Sequence, residues 1–408
     1  MEDINYFERE FLNQAKTYTT KSRDASKAIL TNLKKEIHQL SDSQMKLGLS
    51  KCVALADNGH TTLPINSTIK IPMKFYRFSD GIFVVKTDSI FSKYLGSKVL
   101  KINSIPIDQL EARLFPYVSG VESWKKFKTI DWITSPKILH EIGMGKKDSL
   151  TLTLTKNKKI LDVSLGANKI ENDRPWFEGW SDLYPTSNND NTWKHINNNK
   201  NNLPTYLKHT QEGVFYAFDE QEKIAYFQIN GLWEACPNFK EKIKNFNKTL
   251  KSHRDYNVVI DLRFYTGGNY AYPIKLASKP PKIINDHKKI YLITSDKTYS
   301  AGIVTAARIK HFAKDKIQII GEPVGDRLKF WAESEAVTLP NSGIRIYNPK
   351  KEHDWKDNNR SISRTHMLNF LYGVGVNDLN VNKEIGLSFK DYTENKDPIL
   401  EWIIGEID

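Results

Sequence analysis

A serine standing between an apolar run and a second, helix-like segment is a candidate nucleophile. In Ile290-Tyr291-Leu292-Ile293-Thr294-Ser295-Asp296-Lys297-Thr298-Tyr299-Ser300-Ala301-Gly302 the apolar half reads as a strand. Ile303, Ala306, Ala307, Ile309, Lys310 and Phe312 then recur as in a helix. Ser300 is thereby predicted at a strand–turn–helix junction, its hydroxyl exposed beside the helix's unpaired N–H groups and positive dipole end. Upstream, the apolar run Val258-Val259-Ile260 breaks at Asp261 and Arg263, then at Gly267 and Gly268. Adjacent glycines let backbone N–H groups come close to a bound carbonyl. The two signals together suggest acyl transfer, with Ser300 as nucleophile and an oxyanion hole donated in part by Gly267 or Gly268. The plainer account is that serine is a favoured helix N-cap for structural reasons alone.

Such a serine needs a base. His60 lies in Asp57-Asn58-Gly59-His60-Thr61, where Asn-Gly signals a turn just after an apolar-rich helical segment. A lone histidine is ordinarily a surface or structural residue, yet imidazole is the group a nucleophilic serine requires.

The elements that position these residues follow from periodicity. Residues 1–65 read as an N-terminal helical segment carrying His60, with Tyr6, Phe7, Phe11, Ala15 and then Ala28, Ile29, Leu33, Ile37, Leu40 at helical spacing. Residues 66–168 change to short strands, among them Ile82-Phe83-Val84-Val85 and a hairpin of Leu150 to Thr155 with Leu161 to Leu165. Residues 169–215 read as a linker, because Ser187 to Asn202 is rich in asparagine and lacks an apolar face. The aromatics Trp176, Phe177, Trp180 and Tyr184 before it suggest a packed flank. Over 216–408 strands and helices alternate, which argues for an α/β core with parallel central strands and a site at their C-terminal ends.

Composition narrows the class. A chain of 408 residues has room for two or three domains. The net charge of +12 comes from 60 basic residues spread among 48 acidic ones with no long basic block, so a lysine-rich solvated surface is expected and nucleic-acid binding is not. Cys52 and Cys236 lack metal-ligand spacing and read as buried apolar residues, a single disulfide being the alternative. No metal site and no cofactor is expected. No stretch reaches the roughly 20 apolar residues of a membrane span. The polar start, Met1-Glu2-Asp3-Ile4-Asn5, reads as cytoplasmic, or as periplasmic or secreted if an export segment has been removed.

Four motifs in order carry a resemblance. Asp57-Asn58-Gly59-His60-Thr61, Asp261-Leu262-Arg263 with Gly267-Gly268, Thr298-Tyr299-Ser300-Ala301 and Gly321-Glu322-Pro323-Val324-Gly325 resemble those of the tail-specific (C-terminal-processing) proteases and the tricorn core, a serine peptidase family that also includes interphotoreceptor retinoid-binding protein. The resemblance implies a mixed α/β multidomain fold: a helical start, a small PDZ-like β-rich domain and a ClpP/crotonase-like catalytic core. It also implies peptide or protein substrates. In the C-terminal-processing branch the base is a lysine about 25 residues after the serine, where this chain has Gly325, with Arg327 and Lys329 nearby. In the tricorn-like branch the base is an N-terminal histidine, which His60 matches.

The expected mechanism follows from that branch. Ser300 attacks, His60 takes its proton, Glu333 holds His60, and the N–H groups of Ala301 and of Gly267 or Gly268 bind the oxyanion. Glu322 and Glu335 are rivals for the acid. Asp261 and Arg263 read as structural, pinning the glycine loop. Tyr265, Val324, Gly302 and Gly59 depart from the family's usual residues, which fits either a retuned pocket or a member that binds peptides or an apolar ligand without cleaving. A serine esterase would need a G-x-S-x-G elbow, and Thr298 to Gly302 does not supply one.

Overall fold

The computed structural model describes residues 1–170, 179–185, 192–198, 200–232, 236, 238–357 and 374–407. Trp176 and Phe177, expected to pack, lie outside them. The fold is mixed α/β, as the alternation of periods predicts. Among the described residues no helix is long and apolar enough to cross a membrane.

The helical start and the first sheet share one core. Helices Thr20–Glu36 and Asp42–Ala54 each begin with a capping box, from Thr19 with Ser22 and from Ser41 with Gln44. Their apolar faces, with Leu30, Leu33, Leu49 and Val53, pack in the same cluster as Met73, Val84, Val99, Leu152 and Leu154 of the sheet. That sheet runs in the order Met73–Phe78, Gly81–Asp88, Lys98–Ile102, Ser149–Lys156, Lys159–Gly166. Part of the expected linker joins it, since strand Trp193–His195 pairs with Lys86 to Asp88. Its polar composition hid this, because hydrogen bonds along a strand need no apolar side chains.

The second half builds a six-stranded sheet in strict chain order: Val214–Asp219, Ile224–Leu232, Asn257–Gly267, Ile290–Thr294, Ile317–Gly321 and Lys383–Glu384. The first pair is antiparallel and every later pair parallel. Strands such as Asn257–Gly267 are buried along their whole length, as expected of a parallel sheet covered on both faces. With no reversal in strand order, the intervening helices share one face: Phe246, Leu276 and Ile303 belong to a single cluster with Phe227, Ile260 and Leu292. The C-terminal helix Pro398–Ile407 covers the other face through Ile399 and Ile403.

Beyond the sheet, strands Lys329–Thr338 and Arg345–Asp354 form an antiparallel ribbon. It reaches back to the N-terminal segment, where Thr62 bridges Tyr347. Cys52 and Cys236 are both buried and are not joined in a disulfide.

Candidate active site

Ser300 sits where strand Ile290–Thr294 has ended and helix Ala301–Ala313 begins. The connecting loop is stapled to the end of the neighbouring strand. The Thr298 hydroxyl donates to the Leu262 carbonyl (2.9 Å), the Ser295 hydroxyl to that of Arg263 (2.6 Å), and the Tyr299 N–H to that of Tyr265 (3.1 Å). Helix Ala301–Ala313 then starts against the same strand, so closely that a Cβ on Gly302 would stand 2.3 Å from the Tyr265 carbonyl oxygen. A side chain has no room at this position, which accounts for Gly302.

The junction is strained. Ser300 has φ +51° and ψ −116°, an unfavourable conformation for a residue with a Cβ. Such a turn thrusts the side chain outward, as nucleophile elbows at strand–turn–helix junctions do. Its hydroxyl does not cap the helix. Instead Oγ lies 3.0 Å from Nε2 of His60, 240 residues earlier in the chain.

His60 is delivered by a loop locked to the ribbon. Asn58 exchanges two hydrogen bonds with Trp331, accepting its N–H (2.8 Å) and donating to its carbonyl (3.1 Å). Arg327 donates to the Asp57 carbonyl and carboxylate, each at 2.9 Å, and the Ser334 hydroxyl donates to the His60 carbonyl (3.2 Å). The imidazole is held between two rings, Tyr299 (centroids 4.7 Å apart) and Phe330 (5.3 Å). The stack continues outward, to Trp124 over Tyr299 and to His353 over Phe330.

Glu333 does not hold His60 in this arrangement. Both ring nitrogens of His60 are engaged elsewhere, Nε2 with Ser300 and Nδ1 with the Tyr299 hydroxyl at 3.0 Å. The Glu333 carboxylate faces His353 instead, with Oε1 3.5 Å from Nε2. It still shares a recess of about 280 Å³ with Ser300, His60, Gly268 and Ala301, so its charge is felt at the imidazole without a bond. Its backbone explains the aim: Glu333 has φ +54°. Of the rivals, Glu322 lies in a buried cluster with Asp296 and Lys297, where burial and Asp296 push its carboxyl up to about 7, and Glu335 pairs with Lys350 on the ribbon.

Gly268 and Ala301 line the recess with Ser300, whereas Gly267 closes its strand in register with Leu232. Both glycines have positive φ, +147° and +109°. Asp261 and Arg263 form a buried ion network, with Arg263 bidentate to Asp397 (3.2 and 2.9 Å) and the Tyr226 hydroxyl donating to Asp261 (2.7 Å). That ties the strand below the glycines to the start of the C-terminal helix, a structural duty as expected. Lys329 is held by Asp354 (3.1 Å) and Asp357 (3.4 Å), and Arg327 by Asp57, so neither basic residue near Gly325 faces Ser300.

No family model matches the chain, and no curated protein sequence matches it. Solved structures do. Mature CPAF matches with a TM-score of 0.59 at 11% identity, over 100% of this chain and 96% of that one. Mature CPAF complexed with lactacystin matches at 0.57 and 11% identity, over 95% of this chain and 91% of that one. The chain has the CPAF fold. A fainter likeness, TM-score 0.40, is to the tricorn protease, 36% of whose chain is covered, and it carries no argument.

Within the CPAF fold as this chain builds it, the electrostatics of the site are set by burial. Burial, reinforced by the neighbouring His353, lowers the His60 imidazole to about 3, against the opposing pull of Glu333. His60 is therefore neutral at physiological pH and has a lone pair to offer. Beside it, burial and the charge of Asp326 hold the Tyr299 phenol well above its usual range. Trp124, Tyr299, Asp326 and Phe330 went unassigned from sequence. One signal bears on two of them, Tyr299 and Asp326: Gly59, whose missing Cβ would stand 2.6 Å from the Tyr299 hydroxyl and 3.0 Å from Asp326 Oδ2.

Proposed function

We propose that the protein is a serine-type peptidase of the tail-specific protease family, in its tricorn-like branch. The observation that carries this reading is the 3.0 Å approach of Ser300 Oγ to His60 Nε2 at a strained strand–helix junction. His60 accepts the Ser300 proton on Nε2 as Oγ bonds to the scissile carbonyl carbon. The carbonyl oxygen takes the negative charge beside the N–H groups of Gly268 and Ala301, each such donor contributing about 3 to 4 kcal/mol. The imidazolium returns its proton to the departing amine, and water repeats the sequence on the acyl-enzyme. Glu333 stabilises the imidazolium through space, and Gly267 shapes the loop that presents Gly268.

The substrate is read as an unfolded or C-terminal peptide segment. A cleft of about 1460 Å³ is lined by His60, Tyr299, Trp124, Trp132 and Lys74, a volume above that of a small-molecule site. The alternative of a member that binds without cleaving would gain ground if His60 and Ser300 lay beyond hydrogen-bond reach; at 3.0 Å it is not favoured.

A fluorophosphonate probe tests the reading. The wild-type chain is expected to be labelled, Ser300→Ala to abolish labelling and His60→Ala to slow it strongly. Labelling that survives Ser300→Ala would sink the proposal. Because mature CPAF forms a complex with lactacystin, that compound is expected to compete with the probe.

A further inference from the structure

A histidine can act as base through Nε2 only if its proton sits on Nδ1, and something must hold that tautomer. In the usual arrangement a carboxylate accepts the Nδ1–H. Here the atom facing Nδ1 is a tyrosine hydroxyl, at 3.0 Å. A hydroxyl has two ways to make this bond. If Tyr299 donates, Nδ1 must be the lone-pair atom, Nε2 carries the proton, and His60 cannot take one from Ser300. If Tyr299 accepts, the useful tautomer results, but its own O–H then needs another acceptor.

Asp326 is that acceptor's natural candidate. It is buried, and one carboxylate oxygen accepts the Arg327 N–H at 2.8 Å; the other, Oδ2, completes no hydrogen bond among the described residues, the Gly59 N–H lying close enough to favour the carboxylate charge. Both Oδ2 and the Tyr299 hydroxyl border the small space left by Gly59, at 3.0 and 2.6 Å from where its Cβ would be. They are thus near enough for a direct bond or one bridging water. A buried carboxylate oxygen short of well-aligned donors is costly, so the hydroxyl proton is drawn toward Asp326.

We propose that Asp326 and Tyr299 are positioning residues of the candidate peptidase site: Asp326 takes the Tyr299 O–H, Tyr299 accepts the His60 Nδ1–H, and Nε2 is left free to receive the Ser300 proton. This rests on the peptidase reading for its consequence, although the tautomer itself does not. The chain of bonds also transmits the carboxylate charge toward the imidazolium that forms during attack. The ring stack keeps the geometry, because Tyr299 is clamped between Trp124 (3.8 Å) and His60. The charged groups around the relay are Arg327 and Asp57 on the Asp326 side, and Glu333 and His353 on the His60 side.

The test combines ¹⁵N NMR of histidine-labelled protein with steady-state kinetics on the full chain. In the wild type at a pH well above 7, where the Asp326 carboxyl is ionised, His60 is expected to carry its proton on Nδ1. Asp326→Asn and Tyr299→Phe are both near-isosteric, and Tyr299→Phe keeps the stacked ring. Each is expected to shift the His60 proton toward Nε2. Each is also expected to lower kcat at least about 10-fold with KM little changed; a wrong tautomer costs about 10⁴-fold in the Ser-His-Asp template. A wild-type proton on Nε2, or an Asp326→Asn chain with unchanged tautomer and kcat, would overturn the relay. If the tautomer shifts as expected while the wild type is never labelled at Ser300, the relay stands and the peptidase reading falls.

Discussion

Trp124 and Tyr299 lie ring on ring, centroids 3.8 Å apart and planes 5° from parallel. One comes from helix Glu122–Thr129 beside the first sheet, the other immediately precedes Ser300 in the second half of the chain. The tyrosine that meets His60 is therefore clamped from outside its own sheet. Trp124→Ala is expected to loosen Tyr299 and lower kcat/KM about 10-fold, given about 0.5 to 1.5 kcal/mol for an aromatic pair plus the lost burial. Trp124→Phe should recover most of it. Equal activity in all three chains would show that the stack has no bearing on the site.

Gly302 is the residue on which the Ser300 junction depends sterically. Its absent Cβ would lie 2.3 Å from the backbone oxygen of Tyr265, which cannot move without shifting a buried strand. Gly302→Ala is expected to destabilise the protein by about 1 to 3 kcal/mol through overpacking. Chemical denaturation would register this as a lower midpoint, with fluorophosphonate labelling reduced even under native conditions.

Lys329 offers a control on the identity of the base. It is half-exposed and paired with Asp354 and Asp357, away from Ser300. Lys329→Met is expected to leave probe labelling within about two-fold of wild type, a partly exposed ion pair contributing little. Abolished labelling in a folded Lys329→Met chain would favour a lysine base and discard His60.

The pH dependence has two components of opposite sign. Burial lowers His60 to about 3, so the folded chain resists a proton that the unfolded chain takes up below about 6.5. Its contribution to stability is lost as pH falls through that window. Asp326 behaves inversely. Burial pushes its carboxyl up to about 7, against the Arg327 N–H and guanidinium and the Gly59 N–H. Between about pH 4 and 7 the folded chain keeps a proton the unfolded chain has released, so stability falls as pH rises. Asp326→Asn is therefore expected to raise Tm at pH 8 and to match wild type near pH 4. For activity, an acid limb in kcat/KM near pH 7 belongs to Asp326 and should vanish in Asp326→Asn, leaving a low, flat profile through pH 6.5. A limb at 6.5 that persists in that variant would contradict the depressed imidazole.

Much of the arrangement was legible because it is local or periodic. The helical spacing of the first 65 residues, the alternation in the Ser149–Lys156 hairpin strand and the apolar run Ile290 to Ile293 of the Ile290–Thr294 strand each announce their element directly. The strand Trp193–His195 did not, because a polar segment can pair by backbone alone. Glu333 illustrates the other failure. Position along the chain suggested an acid near His60, and its carboxylate does enter the recess, but a φ of +54° turns it to His353.

By itself the sequence determined that a serine would stand at a strand–helix junction beside paired glycines, since hydropathy period and glycine placement are written in consecutive residues. It also determined that a turn would present His60. Only the tertiary structure decided what touches the imidazole. Nε2 meets Ser300 and Nδ1 meets Tyr299, because the loop 57–62 is pinned to the ribbon by Asn58 and to the segment just before it through Arg327. Those contacts join residues some 240 to 270 positions apart in the chain, and no local pattern encodes the angle at which two packed elements meet.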